Sequence, residues 1–358
     1  MIKIKEMSNI LLNSSSLYDE CGNLFKYLAE VRINFSSLKA HNVPWQLSQI
    51  VEIISSNKLD KNNLELSDII INYCYNVESQ TIAKKAIVSS FKSIFLITKI
   101  RNNKDKELLD KSDLYSIIDI YKKTYKVAPI QDTNIDQSDL DLLILLLNGK
   151  YSNNPLYFFP IFLLLIEELL KNFTFANSAK STLINLYLIK NKLLFAPSIC
   201  FSYPLLNFNK EYKRLLLAVK ENHNEIINFS RCVFDLLKQA SVVSRAFISD
   251  ISNIKDKIET LLITSNKKNN FINNKQIIEM LKSIVFELPN GKSSETKVSE
   301  KEIKLTKFLL NNDLITEVAI YKNKTIYMFN NYVESINKLL KNKKEKTTKI
   351  FALKENLS

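Results

Sequence analysis

The chain has 358 residues, a net charge of +13 and ordinary hydrophobic and charged fractions for a globular protein. It has only three glycines, whereas average usage would give about 25. Because glycine lets a backbone approach phosphate closely, this scarcity excludes a glycine-rich phosphate-binding loop and favours helices over a turn-rich all-β fold. Four cysteines without C-x-x-C spacing and only two histidines argue against a zinc site, any other metal centre or a disulfide framework.

The sequence offers no segment for membrane insertion. Residues 1–6 lack the apolar stretch of a signal peptide, and the longest apolar run, residues 156–166, is too short to span a bilayer. We therefore expect a protein that is cytoplasmic, or delivered by a route that leaves no N-terminal signal here, and that has no membrane partner. The sequence leaves its oligomeric state open.

Helical periodicity extends from the start of the chain to about residue 265. Residues 1–60 predict an N-terminal helical segment, and residues 69–100 predict two helices divided near Glu78. Residues 113–125 predict another helix, with Asp113 as a candidate N-cap. The core positions expected on the first long helix are Leu17, Leu24, Leu28, Val31, Ile33 and Leu38.

The centre of the chain is strongly apolar. Residues 139–147 and 156–170 predict buried central helices, and the polar residues 171–181 predict a loop. A helix over 183–194 follows, and the longest amphipathic pattern covers residues 225–263. The fold class up to residue 265 is therefore all-α, with a helical core over residues 61–265.

The pattern changes beyond a polar linker at residues 267–274. Helices are predicted over residues 276–288, 300–310 and 332–340. Residues 314–321 and 325–329 predict two strands joined by a hairpin turn. This order predicts a C-terminal α+β winged-helix domain over residues 270–350, ending in a basic tail.

Three segments carry a resemblance to a known family. They are residues 183–197, residues 200–203 (Cys-Phe-Ser-Tyr) and residues 211–216 (Glu-Tyr-Lys-Arg-Leu-Leu). Together they resemble the segment after the catalytic motif of Fic (Fic/Doc, Fido-domain) proteins, where a helix leads through a proline-led loop to a Glu-Tyr helix. The resemblance implies a Fic-like helical body.

In that family the preceding motif reads H-P-F-x-[DE]-G-N-G-[RK]-x-x-R and transfers AMP from ATP, with magnesium, to a protein hydroxyl. Here either Leu170 or Lys171 takes the place of the histidine, and no acid, glycine or arginine stands where the motif requires one. The resemblance therefore implies a degenerate motif loop without a catalytic residue. Its members are Lys171, Phe173, Asn177, Ser178 and Lys180.

If this loop binds a phosphate, Lys180 is the cation that would contact it. The alternative interpretation is that Lys180 is a solvated lysine at the start of a helix. The resemblance also implies an inhibitory helix, whose nearest counterpart is residues 36–41. There Ala40 replaces the inhibitory glutamate.

The C-terminal module is basic. Its residues 265–358 hold 18 lysines and 10 acids, and so contribute +8 to the net charge without any arginine. Candidate nucleic-acid contacts are Lys301, Lys304 and Lys307 on one helix, with Lys322 and Lys324 at the hairpin. A lysine-rich solvated surface is the equal alternative.

Two functions from different classes follow. The first is a catalytically inactive Fic-like protein that acts by binding DNA or another protein and needs no cofactor. The second is a protein adenylyltransferase with a divergent motif, which would need ATP and magnesium.

Overall fold

The computed structural model describes residues 4–37, 43–75, 82–102, 108–125, 137–265, 286–289, 300–322 and 324–341. They fall into two units, Met1–Ile248 and Ser249–Ser358. The predictions for Leu38, residues 38–41, Glu78 and the linker at 267–274 lie outside the described residues.

The helices that begin in the first unit are α1 (Ile4–Leu12), α2 (Ser15–Ser37), α3 (Val43–Leu59), α4 (Leu66–Tyr75), α5 (Ile82–Asn102), α6 (Lys111–Tyr125), α7 (Gln137–Leu147), α8 (Pro155–Leu170), α9 (Ala176–Lys190), α10 (Ser202–Glu221) and α11 (Ile226–Ser265).

Helices α8 and α9 form the centre of the first unit. The sequence predicts a buried central helix at α8, whereas the second one predicted, residues 139–147 in α7, is buried on one side only and leaves Leu145 45% exposed. Helix α8 begins with Pro155, whose missing N–H costs nothing in a first turn, and it is buried over most of its surface. Helix α9 is buried continuously from Ser178 to Ile189. It packs against α3, α5, α6, α7 and α8. A helix buried on every side has no solvent face, so its polar side chains must find partners inside the protein.

The start of α6 corrects the predicted N-cap. Asp110 is the capping residue, since its Oδ1 accepts from the backbone N–H of Asp113 at 3.1 Å. A reciprocal hydrogen bond forms as well, in which Oδ2 of Asp113 accepts from the backbone N–H of Asp110 at 2.9 Å. The pair is a capping box, in which Asp113 holds the third helical position instead of the cap.

The start of α9 also differs from the prediction. The loop predicted over residues 171–181 ends at Phe175, so α9 begins seven residues before the predicted start at Leu183. The residue before the helix, Phe175, makes no side-chain capping bond. The cap comes from Asp60, which is more than a hundred residues earlier in the chain, so sequence periodicity cannot detect it.

One glycine has a steric role at the end of α7. Gly149 has a positive φ of 66°, and a Cβ there would lie 2.8 Å from Oδ1 of Asn191. The Nδ2 of that asparagine donates to the backbone oxygens of Leu146 at 3.1 Å and Tyr187 at 2.9 Å. Any larger residue at this corner would be strained and would displace Asn191, whose hydrogen bonds tie the ends of α7 and α9 together.

The second unit contains a three-stranded antiparallel sheet. Its elements are β1 (Phe286–Pro289), α12 (Glu300–Asn311), β2 (Ile315–Tyr321), β3 (Lys324–Phe329) and α13 (Asn330–Lys341). The strand order is β1-β3-β2, with Phe286 opposite Tyr327 and Ile315 opposite Phe329. The hairpin and its two flanking helices match the prediction. The helix predicted over 276–288 is wrong at its end, where residues 286–288 are a strand.

Three further predictions concern exposure and pairing. Ile33, predicted in the core, is 62% exposed, whereas Leu17, Leu24, Leu28 and Val31 are buried as predicted. None of the four cysteines, all of which are described, forms a disulfide bond. Within the described residues, no helix has both the length and the apolarity to cross a membrane.

Candidate functional site

The predicted motif loop lies between α8 and α9 and spans only residues 171–175. Lys171 is exposed and forms an ion pair with Glu168 of the preceding turn. Phe173 stacks on Phe175 with ring centroids 4.8 Å apart, and Nζ of Lys122 lies 5.8 Å from the centroid of the Phe173 ring. The aromatic pair anchors the loop to the core, since Phe175 also stacks on Tyr121 at 5.5 Å.

Asp60, just after α3, holds the N-terminus of α9. Its Oδ1 accepts from the backbone N–H of Asn177 at 3.0 Å and from that residue's Nδ2 at 2.8 Å. Its Oδ2 accepts from the backbone N–H of Ser178 at 3.1 Å and from the Ser178 hydroxyl at 2.8 Å. Burial raises the pKa of Asp60, although these four bonds oppose the rise. An internal carboxylate therefore occupies the position where a helix N-terminus would bind an anion.

Lys180 lies one turn further along α9 and is only 4% exposed, so the expectation of a solvated lysine is wrong. Its Nζ lies 2.5 Å from Oε1 of Glu167. The same oxygen accepts from the hydroxyl of Tyr212 at 2.7 Å. The Lys180 ammonium also lies 5.3 Å from the centroid of the Tyr212 ring. Burial opposes ionisation of Glu167, but Lys180, Tyr212 and Lys220 together hold its pKa below the ordinary value.

The adjacent pair Glu167 and Glu168 does not form a dyad. Glu168 contacts Lys171 and lies 2.9 Å from Nζ of Lys220, whereas Glu167 turns inward to Lys180. Neighbouring positions on a helix face different directions, so each carboxylate has its own lysines.

A second carboxylate, Glu52 of α3, lies at the N-terminus of α10 and is fully buried. Glu52 is 1% exposed, and its two oxygens accept from the backbone N–H of Ser202 at 2.9 and 3.1 Å. Burial raises the pKa of Glu52 to about 7, against the opposing effects of Ser181, Ser202 and Lys180. Helix α3 and the residue that follows it thus supply carboxylates to the first turns of α10 and α9, neither of which has a side-chain cap of its own.

These contacts decide what the loop can bind. The amides and side chains of Asn177 and Ser178 already donate to Asp60, and Lys180 is neutralised by Glu167. Across the described ranges, no three His, Cys, Asp or Glu side chains are grouped to hold a metal ion. The backbone N–H groups at the start of α9 and the Lys180 ammonium are therefore already engaged by carboxylates of the protein itself.

Sequence reasoning missed Asp60, Glu52 and Glu167 as partners of the loop. Tyr212 belongs to the Glu-Tyr pair noted in the sequence, and it is this tyrosine that reaches Glu167. No local signal marks Asp60, which stands in a polar stretch after α3 and acts on a helix 117 positions later. His223, the described histidine, lies at a helix junction with Nδ1 3.1 Å from Oε2 of Glu6.

The candidate nucleic-acid contacts lie in the second unit. Lys304 and Lys307 are exposed on α12, Lys322 is exposed at the end of β2, and Lys324 begins β3 half-buried. The Lys322 backbone has a positive φ of 45°, and its Nζ lies 5.3 Å from the centroid of the Tyr321 ring. Lys301 lies on the first turn of α12. The structure therefore places lysines on the helix before the hairpin and at the hairpin turn.

Comparison with known proteins gives no matching family model and no matching curated protein. Among solved structures, the chain is similar to a Fic family protein from Desulfovibrio desulfuricans G20. The sequence identity is 12%, the TM-score is 0.48, and the match covers 87% of this chain and 95% of that chain.

Proposed function

We propose that this chain is a catalytically inactive, Fic-like protein that acts by binding a partner. The observation that carries the proposal is the carboxylate of Asp60 on the first turn of α9. A phosphate approaching this turn would meet a negative charge, and the N–H groups of Asn177 and Ser178 already donate to that charge. The site that the sequence resemblance implies for ATP is thus filled by the protein itself.

The chemistry of AMP transfer gives a second argument. A general base must take the proton of the acceptor hydroxyl, and such a base contributes ~10²–10⁴-fold to a rate. The two positions that correspond to the histidine are Leu170, which is 1% exposed, and Lys171, which is ion-paired. Leu170 has no group that can accept a proton, and the Lys171 amine is held by Glu168 instead of an acceptor hydroxyl. The alternative of a divergent adenylyltransferase needs another base near the loop.

The test combines ligand binding and transfer. We expect no rise in melting temperature when the full chain is mixed with ATP and magnesium, because a ligand that binds only the folded state must stabilise it. We also expect no transfer of labelled AMP to the chain itself or to proteins of a lysate. Transfer above that of a heat-denatured sample would contradict the proposal, and Lys171→Ala would then show whether this loop is responsible.

We propose a winged-helix role for the second unit. The supporting observations are the helix–strand–turn–strand order of α12, β2 and β3, the added strand β1, and the exposed Lys304, Lys307 and Lys322. In winged-helix proteins the helix before the hairpin enters the major groove, and the hairpin contacts the DNA backbone. DNA is therefore the partner that this unit favours, and another protein is the alternative. Anisotropy of a labelled duplex, titrated with the full chain at low salt, distinguishes the two.

A further inference from the structure

Helix α2 has two apolar faces, and the core covers only one of them. The covered face consists of Leu17, Cys21, Leu24, Leu28 and Val31, all buried. The neighbouring face consists of Tyr18, Gly22, Phe25 and Ala29, spaced by four, three and four residues, which is the spacing of a helix–helix seam. Tyr18 is 50% exposed and Phe25 is 53% exposed. We call these four residues the α2 seam.

The opposite side of α2 is fixed by α11. Glu20 lies 3.0 Å from Nε of Arg231, and Glu30 lies 2.5 Å from Nη1 of Arg245. Between them, Nζ of Lys238 lies 5.1 Å from the centroid of the Tyr27 ring. Tyr18 itself stacks on Tyr157 of α8 with centroids 4.8 Å apart. The helix cannot rotate to bury its second face without breaking these contacts, so the α2 seam is presented outward on a rigid support.

We propose that two copies of this chain associate through the α2 seam, with the two α2 helices antiparallel about a twofold axis. The seam alternates large and small residues, and Gly22 has nothing within 4 Å of where a Cβ would stand. In an antiparallel pair, Phe25 of one copy packs over Gly22 of the second copy, and Tyr18 over Ala29. A parallel pair would set Phe25 against Phe25 and Gly22 against Gly22, which leaves gaps in the packing.

The charges beside the seam favour the same arrangement. Asp19 and Lys26 are both exposed and occupy equivalent flanking positions one heptad apart. When the helices run antiparallel, Asp19 of each copy lies beside Lys26 of the other, so the twofold axis creates two ion pairs. A parallel pair brings neither carboxylate near a lysine of the second copy. Because one helix face from each copy gives a small interface, the dissociation constant should be micromolar or weaker.

The test measures the molar mass of the full chain by light scattering or sedimentation over a range of concentrations above micromolar. We expect a concentration-dependent rise towards twice 41.4 kDa. Phe25→Glu should abolish the rise, since it places a charge in the seam. The matched control is Leu217→Glu on α10, where the wild-type side chain is 61% exposed. This variant should associate as the wild type does, and thermal melting should show that both variants are folded.

Charge exchange tests the orientation. Asp19→Lys leaves only lysines beside the seam, and Lys26→Asp leaves only aspartates, so each variant alone should associate more weakly than wild type by about 2- to 30-fold. An equimolar mixture should restore association, because every lysine then faces an aspartate. The proposal is overturned if the wild type stays monomeric throughout, if Phe25→Glu leaves association intact, or if the mixture associates no better than its components.

Discussion

Both carboxylate oxygens of Glu52 accept from the backbone N–H of Ser202, at 2.9 and 3.1 Å, deep inside the first unit. A carboxylate in this position stabilises the first turn of α10 through the dipole of the helix, but it loses its hydration. The net effect of burial is a pKa raised to about 7. Because the pKa of Glu52 differs between the folded and the unfolded chain, the free energy of unfolding depends on pH.

The pH dependence has a definite sign. An unfolded glutamate has a pKa near 4.5, so between that pH and about 7 the folded chain holds a proton that the unfolded chain has lost. Stability contributed by this proton is complete below pH 4.5 and is lost as the pH rises through 7. In Glu52→Gln the side chain stays neutral, so its stability relative to wild type should increase from pH 5 to pH 8 by up to about 3 kcal/mol.

Urea denaturation at the two pH values measures this difference. The control is Glu65→Gln, since Glu65 is exposed and close to α3 in sequence. Equal pH dependence of wild type and Glu52→Gln would show that the buried carboxylate does not titrate in this range.

Removal of the distant cap should destabilise α9. Asp60→Ala leaves the N–H groups and side chains of Asn177 and Ser178 without their acceptor, and the expected loss in the free energy of unfolding is about 1–3 kcal/mol. Asp235→Ala, at an exposed position on α11, should change stability by less than about 0.5 kcal/mol. Hydrogen exchange adds a local readout, because the amides of Asn177 and Ser178 should exchange faster only in the Asp60 variant.

Two lysines of the motif loop should differ sharply in their energetic role. Lys180→Ala leaves Glu167 buried without its ammonium partner, and such a loss typically costs about 3–5 kcal/mol. Lys171→Ala removes an exposed ion pair and should cost less than about 1 kcal/mol. Chemical denaturation of both variants checks the contrast. Combining Lys180→Met with Glu167→Gln should recover part of the loss, because no unpaired charge is then buried.

DNA binding by the second unit should depend steeply on salt and weakly on sequence. Each phosphate neutralised adds about −0.9 to the slope of log K against log salt, so three to five engaged lysines give roughly −3 to −5. Changing Lys322 and Lys324 together to Ala should flatten the slope by up to about 2. The paired control changes Lys210 and Lys213 of α10, both exposed, and should leave the slope unchanged. Absence of duplex binding at micromolar protein would favour a protein partner.

Local patterns in the sequence predict most of the helical elements and the hairpin. The features that these local patterns do not predict depend on contacts between residues far apart in the sequence. The four-residue strand β1 exists because Phe286–Pro289 pairs with Lys324–Tyr327, and alone these residues continue an apolar pattern that reads as helix. Lys180 looks solvated beside its small polar neighbours, and only the packing of α9 against other helices shows that Glu167 and Tyr212 surround it.

The carboxylates of Glu52, in α3, and Asp60, just after it, also affect how the chain folds. Asp60 and Asn177 are 117 positions apart, and Glu52 and Ser202 are 150 apart. Contacts of such high sequence separation require closure of long loops before they form. The first turns of α9 and α10 should therefore complete after α3 has docked, on the native side of the folding barrier. Asp60→Ala would then accelerate unfolding while leaving the refolding rate almost unchanged.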